Sequence, residues 1–392
     1  MKSTSFSIKL ATAGFMLILI SSQAIWVTFS PVVTYVASDL NTSVELVGLL
    51  AVTYPVFFLI LTIPSGILLD RNFKFWLLFG VTTTFLGSVV RFAFTNYWWF
   101  FFAQLLGAVG QPFLLNGIVP FSSRLFEEKK SALIISILSF SMYLGTIIAL
   151  GTGTILYSAG GIQLLISLPA AFGILGFILL VLAIMQVNFV KNEEKQSSLK
   201  TMGNILKRRD LWLIALILGF GVAVFDNLST WLQPALRDTG LENIAGDAVA
   251  ISIILGLIGT IIIPRYIANK NARTMYLRIV TILITIFFIT LIMTVNSLFI
   301  FTFLGISGLL MIPAYPIIMD WISRFNKKDV HGSATGFVGL ISRIVSVSLT
   351  FSAMFFIGSS RFYFSFLTIS LVLAFIISLM LPKDKKMEDL MK

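Results

Sequence analysis

An aspartate set in the middle of a segment able to cross a bilayer is the first residue here that could do chemistry. Asp226 lies within residues 211–236, LWLIALILGFGVAVFDNLSTWLQPAL, and is followed at once by Asn227. A carboxylate at the centre of a membrane helix costs about 2.5–3.5 kcal/mol on insertion scales, so such groups face a cavity or a partner. Asp226, Thr230 and Gln233 share one helical face at i, i+4 and i+7, with Asn227 and Trp231 beside it. The opposite faces are Leu, Ile, Val and Phe, which is the pattern of a helix lining a pathway. Arg343 is the second such residue, on a face with Gly332, Gly336, Gly339 and Ser346. It lies about 14 residues into its helix and Asp226 about 15, so at about 1.5 Å per residue the two charges stand at nearly equal height. They form either a structural ion pair or a site in which at least one charge meets a solute or a coupling ion. A guanidinium suits a carboxylate or phosphate, and a carboxylate suits an ammonium; together they favour a zwitterion such as an amino acid or a betaine-like compound.

Other polar residues sit at comparable depth. Trp26 shares a face with Ser22 and Ser30, with Gln23 beside them, and lies near mid-depth rather than in the interfacial belt where Trp concentrates. Gln104, Gly107 and Gln111 share a face of another segment. Tyr315 lies in Pro313-Ala314-Tyr315-Pro316, where the prolines interrupt the backbone ladder. The expected solute-binding set is therefore Trp26, Gln111, Asp226, Asn227, Trp231, Tyr315 and Arg343. Arg91, followed by Tyr97, Trp98 and Trp99, reads as an interfacial arginine snorkelling beside an aromatic belt.

The elements that must position these residues follow from composition. Of 392 residues, 57% are hydrophobic and only 11% charged, far more apolar than a soluble core requires and suited to a bundle of membrane helices. Twelve spans are expected, near 10–36, 46–69, 75–95, 98–120, 132–157, 163–187, 211–235, 247–267, 274–295, 298–320, 330–358 and 362–381. The first is too long for a signal-peptide core and lacks a clear cleavage site, so it is read as an uncleaved helix. The net charge of +11 suggests nucleic acid until the 28 basic residues are placed on alternate loops. Only Arg91, Arg237 and Arg361 then fall outside and Arg343 within a helix, which is the positive-inside pattern with both termini cytoplasmic. No nucleic-acid partner is expected. Cysteine is absent and His331 is the single histidine, so no thiolate or histidine metal site, no cofactor and no nucleophile–base pair are expected, and an enzyme is disfavoured.

Span 2 ends Gly66-Ile67-Leu68-Leu69-Asp70-Arg71-Asn72-Phe73-Lys74. This resembles the loop 2–3 motif of the major facilitator superfamily of secondary transporters, G-x-x-x-D-R/K-x-G-R/K-R/K. Gly66, Asp70, Arg71 and Lys74 match, while Phe73 replaces the motif glycine and Phe75 a basic residue. Read physically, the small residue admits close helix approach, and the charges at the membrane edge latch one conformational state. A second copy, Gly259 to Arg265 with Lys270 and Arg273, and the echoes of Ser123-Arg124 in Ser323-Arg324 and of Ser131-Ala132 in Ser333-Ala334, give a repeat near 200 residues. The expected fold is an all-α membrane protein of two pseudo-symmetric six-helix bundles, residues 1–187 and 211–392, joined by a cytoplasmic linker at 188–210. Leu199, Met202, Ile205 and Leu206 give that linker a weak apolar stripe.

The resemblance implies a monomer in the cell membrane that moves a small solute by alternating access through a central site between the bundles, with protons as an open coupling partner. Phe101 stands where the superfamily's usual span-4 arginine would be, which removes proton coupling through that residue. The proline of the drug-antiporter signature is missing from the glycine run of span 5. Three fragments, Gln111-Pro112-Phe113-Leu114-Leu115, Phe225 to Thr230 and Gly332 to Gly336, are similar to the feline leukaemia virus receptor-related branch, which carries choline and related solutes and has been linked to haem. That branch cages its cation with a span-1 Trp and a span-7 Tyr, helped by Gln on spans 4 and 11. Trp26 and Gln111 match; Asp226 and Arg343 depart, favouring a zwitterion over plain choline. The alternatives are a choline-like organic-cation facilitator and a non-transporting membrane sensor of the same fold.

Overall fold

The computed structural model describes residues 5–187, 189, 205–325, 331–385 and 387. Most of the expected linker at 188–210, including Leu199 and Met202, lies outside them. Of its apolar stripe, Ile205 is buried and Leu206 exposed.

Two compact units divide at Glu194 and Lys195. The first holds α1 (Ser5–Trp26), α2 (Val33–Asp39), α3 (Val44–Arg71), α4 (Phe73–Val89), α5 (Tyr97–Leu125) and α6 (Glu128–Ile184). The second holds α7 (Arg209–Ala235), α8 (Ala245–Asn269), α9 (Arg273–Met293), α10 (Ser297–Met311), α11 (Ala314–Arg324), α12 (His331–Ala353) and α13 (Ser360–Met380). Among the described residues, 11 continuous helical stretches are long and apolar enough to cross a membrane. The stretch at 130–184 is 55 residues long, roughly twice what a bilayer needs. It is broken at Gly160 and Gly161, the latter at φ +60, where a side chain would clash with its own backbone. Splitting α6 there recovers the twelve spans.

Helix ends follow local chemistry. Ser43, Asn72, Asn96 and Asn296 each accept a hydrogen bond from the amide three residues on and so open α3, α4, α5 and α10. Asn96 and Asn296 open equivalent spans of the two units, a further echo of the repeat. Asn41 (φ 49) and Asn271 (φ 50) take the left-handed conformation just past α2 and α8, where asparagine is tolerated.

In the first unit α1 packs against α6, and α5 against α3 and α4. Phe15 and Phe121 meet at 4.9 Å between ring centroids within a cluster that includes Leu77, Phe113 and Leu180. In the second unit the main pairings are α7 with α12, α8 with α10 and α9 with α13. Lipid tails are as apolar as Leu, so close contact rather than water exclusion holds such pairs. At Gly219 a Cβ would stand 2.8 Å from Val345 Cβ, so α7 and α12 are near contact about two turns before Asp226. The first span and α7 are the most enclosed of the spans, and they carry Trp26 and Asp226.

Candidate functional site

In the second unit, close approach at Gly219 sets α7 and α12 so that the residues ahead of it face each other. Arg343 Nη1 donates to Asp226 Oδ2 at 2.9 Å, and Ser346, one turn on, donates its hydroxyl to the same oxygen. The equal heights inferred from sequence are thus realised as an ion pair. Its members are unlike: the Asp226 side chain is 3% exposed and that of Arg343 27%. Gly336 and Gly339, on the face of Arg343, are exposed, and a Cβ on either would meet open space. That glycine stripe is not a packing seam; it leaves bare backbone beside the guanidinium.

Asn227 and Trp231 turn toward the helix partner. The Trp231 indole N–H donates to Thr350 O at 2.8 Å, and the ring is fully buried. Asn227 Nδ2 donates to Ala223 O at 2.7 Å and reaches Thr350 Oγ1 at 3.5 Å, while its Oδ1 is buried with no partner among the described residues. Tyr315 lies just after the predicted break: α10 ends at Met311, α11 begins at Ala314, and Tyr315 N bonds back to Ile312 O at 3.3 Å. Its side chain is exposed and within electrostatic reach of Arg343.

In the first unit, Trp26 is the last residue of α1, and its indole N–H donates to Ala51 O of α3 at 3.1 Å. Gln111 is buried and, among the described residues, its amide makes no hydrogen bond. Two turns away Gln104 is fully tied, with Nε2 within 3.3 Å of both Ile25 O and Trp26 O.

Arg91 overturns the expectation of a snorkelling side chain. It is completely buried. Its guanidinium donates to Thr28 Oγ1 at 3.0 Å, to Ile25 O at 3.3 Å and to Gln104 Oε1. These partners come from spans 1 and 4, which a reading of span 3 alone cannot supply. The aromatic belt beside it is present, with Trp98 exposed and Trp99 donating its N–H to Val90 O at 2.6 Å. The usable signal in the sequence is a run of polar residues on span 1, Thr28 and Ser30, at the depth of Arg91.

The two copies of the loop motif diverge. A Cβ on Gly66 would meet nothing within 4 Å, so the expected close approach is absent there, although neighbouring Ser65 accepts a hydrogen bond from Asn116 of α5 at 2.8 Å. Gly259, in the second copy, does sit in close contact: a Cβ there would stand 2.3 Å from Leu309 O. Asp70 and Arg71 are exposed, Lys74 is half-buried, and none of the three makes an ion pair among the described residues. Phe73, which replaces the motif glycine, is buried against Phe189 and lies under Arg124 at 4.7 Å. In the second copy Arg273 is buried and bonded to Asp320 at 2.6 Å and to Asp384 at 3.4 Å. Asp384 also accepts the backbone N–H groups of Arg273 and Thr274, each at 3.0 Å. Among the described residues no group of His, Cys, Asp and Glu side chains could hold a metal ion.

The family model of the Major Facilitator Superfamily matches residues 15–350. An uncharacterized protein of Archaeoglobus fulgidus is 26% identical over 180 residues, covering 45% of this chain and 83% of that one. Solute carrier family 49 member A3 of Xenopus tropicalis is 24% identical over 272 residues, covering 63% of this chain and 56% of its own length. The chain thus spans little more than half of that solute carrier. Among solved structures, a bacterial homologue of the human lysosomal transporter Spinster, inward-facing and unoccupied, superposes with a TM-score of 0.73 at 12% identity, covering 97% of this chain and 96% of that one. A D-xylose–proton symporter does so at 0.71 and 14% identity, covering 98% and 99%.

Proposed function

The chain belongs to the Major Facilitator Superfamily, a family of transporters, and we propose that it moves a small zwitterionic solute across the membrane by alternating access. The observation that carries this reading is the Asp226–Arg343 pair, a shielded carboxylate joined to a guanidinium that borders open space. An ion pair serving structure alone gains nothing from a part-exposed member and bare backbone beside it. A site that takes a carboxylate or phosphate at Arg343 and an ammonium at Asp226 uses both. The solute would exchange partners with the pair, so each charge stays compensated whether the site is empty or full. Tyr315 lies within electrostatic reach of the same guanidinium.

The first half contributes separately. Trp26 offers an aromatic face and Gln111 an unpaired amide, both suited to an ammonium group. These are also the two residues that match the choline-carrying branch. Asn227 and Trp231 hold α7 to α12 and support the site through Asp226 rather than by direct contact. Gly66, Asp70, Arg71 and Lys74 are assigned to gating; Asp70 is exposed and makes no ion pair among the described residues. On the positive-inside pattern of loop charge both termini are assigned to the cytoplasm, and the transporter is taken to work as a monomer in the cell membrane.

Counterflow in proteoliposomes tests the reading. Labelled glycine betaine or a labelled amino acid should exchange, and choline should exchange poorly. Choline exchange without any zwitterion exchange would leave an organic-cation facilitator; ligand-induced thermal stabilisation without any exchange would leave a sensor. Proton coupling through Asp226 makes its own demand. Asp226→Asn should weaken exchange, and the exchange that remains should no longer be accompanied by accumulation driven by a proton gradient; gradient-driven accumulation at the parental level in that variant would remove Asp226 from coupling.

A further inference from the structure

Span 1 is not one helix. α1 stops at Trp26, a turn follows, and a short 3-10 segment at Ser30–Val32 leads into α2. Pro31 has no N–H, and the N–H of Ser30 turns back to Val27 O at 3.1 Å instead of reaching Trp26 O. The carbonyls that end α1 are therefore poorly served by backbone donors at a depth where water is scarce: Thr28 N reaches Ile25 O only at 3.4 Å, and among the described residues no backbone N–H reaches Trp26 O. Such carbonyl ends carry the negative pole of the helix, and in interrupted membrane helices they coordinate alkali cations.

The Thr28 hydroxyl turns back to Ala24 O at 2.6 Å and Ile25 O at 3.1 Å, and the remaining donors come from two side chains of other spans. Arg91 Nη2 reaches Ile25 O at 3.3 Å, and Arg91 Nη1 reaches Thr28 Oγ1 at 3.0 Å. Gln104 Nε2 supplies Ile25 O and Trp26 O, each at 3.3 Å, while its Oε1 accepts from Arg91. Arg91 is fully buried and pairs with no carboxylate among the described residues, and its guanidinium carbon lies 5.5 Å from the centroid of the Phe29 ring. An uncompensated charge in this setting would cost several kcal/mol as a bare ion. The helix end is the counter-charge that the structure offers it.

We propose that Arg91 is the resident cation of the span-1 break and, with Gln104, the positioning pair that sets Trp26. Gln104 holds the carbonyl of Trp26, Arg91 orients Gln104 through its Oε1, and Ala51 O holds the indole N–H at 3.1 Å, so backbone and ring are fixed from opposite ends. Neither Arg91 nor Gln104 touches the solute; both act through Trp26. The functional consequence rests on the transporter reading above, whereas the positioning does not.

The experiment separates the two. The protein contains seven tryptophans, so 5-fluorotryptophan labelling gives seven fluorine resonances, and Trp26→Phe assigns one of them. Gln104→Leu and Arg91→Gln should shift or split the Trp26 line and leave those of Trp212, Trp231 and Trp321 in place. Arg91→Lys, which keeps the charge without the fork, should return a single Trp26 line near its parental position. An unmoved Trp26 line in Gln104→Leu overturns the proposal, as does a Lys variant as perturbed as the Gln variant. If Arg91→Gln fails to fold, Gln104→Leu and Arg91→Lys still decide. In proteoliposomes Gln104→Leu should raise the half-saturating concentration of glycine betaine about tenfold with the maximal rate preserved, because a preset side chain has lost its preset position. If the parental protein does not carry glycine betaine, the transport reading falls and the fluorine spectra alone decide the positioning.

Discussion

Neutralising Arg343 and neutralising Asp226 break the same 2.9 Å contact, yet the two variants should not cost the same. Arg343→Gln leaves a carboxylate 3% exposed with the neutral Ser346 hydroxyl as its remaining hydrogen-bond donor among the described residues. Removing one member of a buried pair costs about 3–5 kcal/mol, and the hydroxyl holds this case to the low end, about 3 kcal/mol. Asp226→Asn leaves a guanidinium already 27% exposed, with the bare backbone of Gly336 and Gly339 beside it into which it can turn. Its loss should resemble that of an ordinary polar contact between membrane helices, about 1 kcal/mol. The difference of about 2 kcal/mol is large enough to read in an unfolding titration in mixed micelles. The double variant, Asp226→Asn combined with Arg343→Gln, places two carboxamides where they can bond each other. It should return to within about 1 kcal/mol of the parent, because no charge is left uncompensated. Asp226→Asn proving the more damaging substitution would refute the assignment of Asp226 as the shielded member. A double variant no more stable than Arg343→Gln would refute the coupling. Recovery of zwitterion counterflow in the double variant would make the pair structural and move the solute elsewhere.

Three further outcomes follow from the geometry. Gly219→Val should destabilise by about 1–3 kcal/mol through overpacking at Val345, and should also weaken counterflow by parting α7 from α12; detergent melting curves check the first and transport the second. Asp70→Asn should leave thermal stability and ligand-induced stabilisation near the parental level and slow net transport, because an exposed charge with no ion pair among the described residues acts mainly on the conformational equilibrium; an unchanged transport rate would end its gating assignment. In this cysteine-free chain, Lys207→Cys should label with an impermeant maleimide from the cytoplasmic side only and Thr42→Cys from outside only, and labelling of Lys207→Cys from outside would reverse the orientation.

Composition and periodicity alone determined the class, the twelve spans and the break at Pro313. Membrane helices satisfy their backbone internally, so length, apolarity and proline placement are local properties that the chain states outright. The depth of Asp226 and Arg343 was legible for the same reason, since residue count along a helix converts directly into height. Facing is another matter. That Asp226 and Arg343 bond, that Trp231 donates its N–H to Thr350, and that Gly259 is in close contact while Gly66 is not, depend on which helices touch and at what rotation. Arg91 is the clearest case. Its local context, a charged residue before an aromatic belt, is that of an interfacial side chain, and only the convergence of Thr28, the end of α1 and Gln104 from other spans makes a buried guanidinium tolerable there. Sequence orders the polar groups by depth, and tertiary packing decides which of them meet, because a hydrogen bond inside a bilayer requires both partners on facing surfaces within about 3 Å.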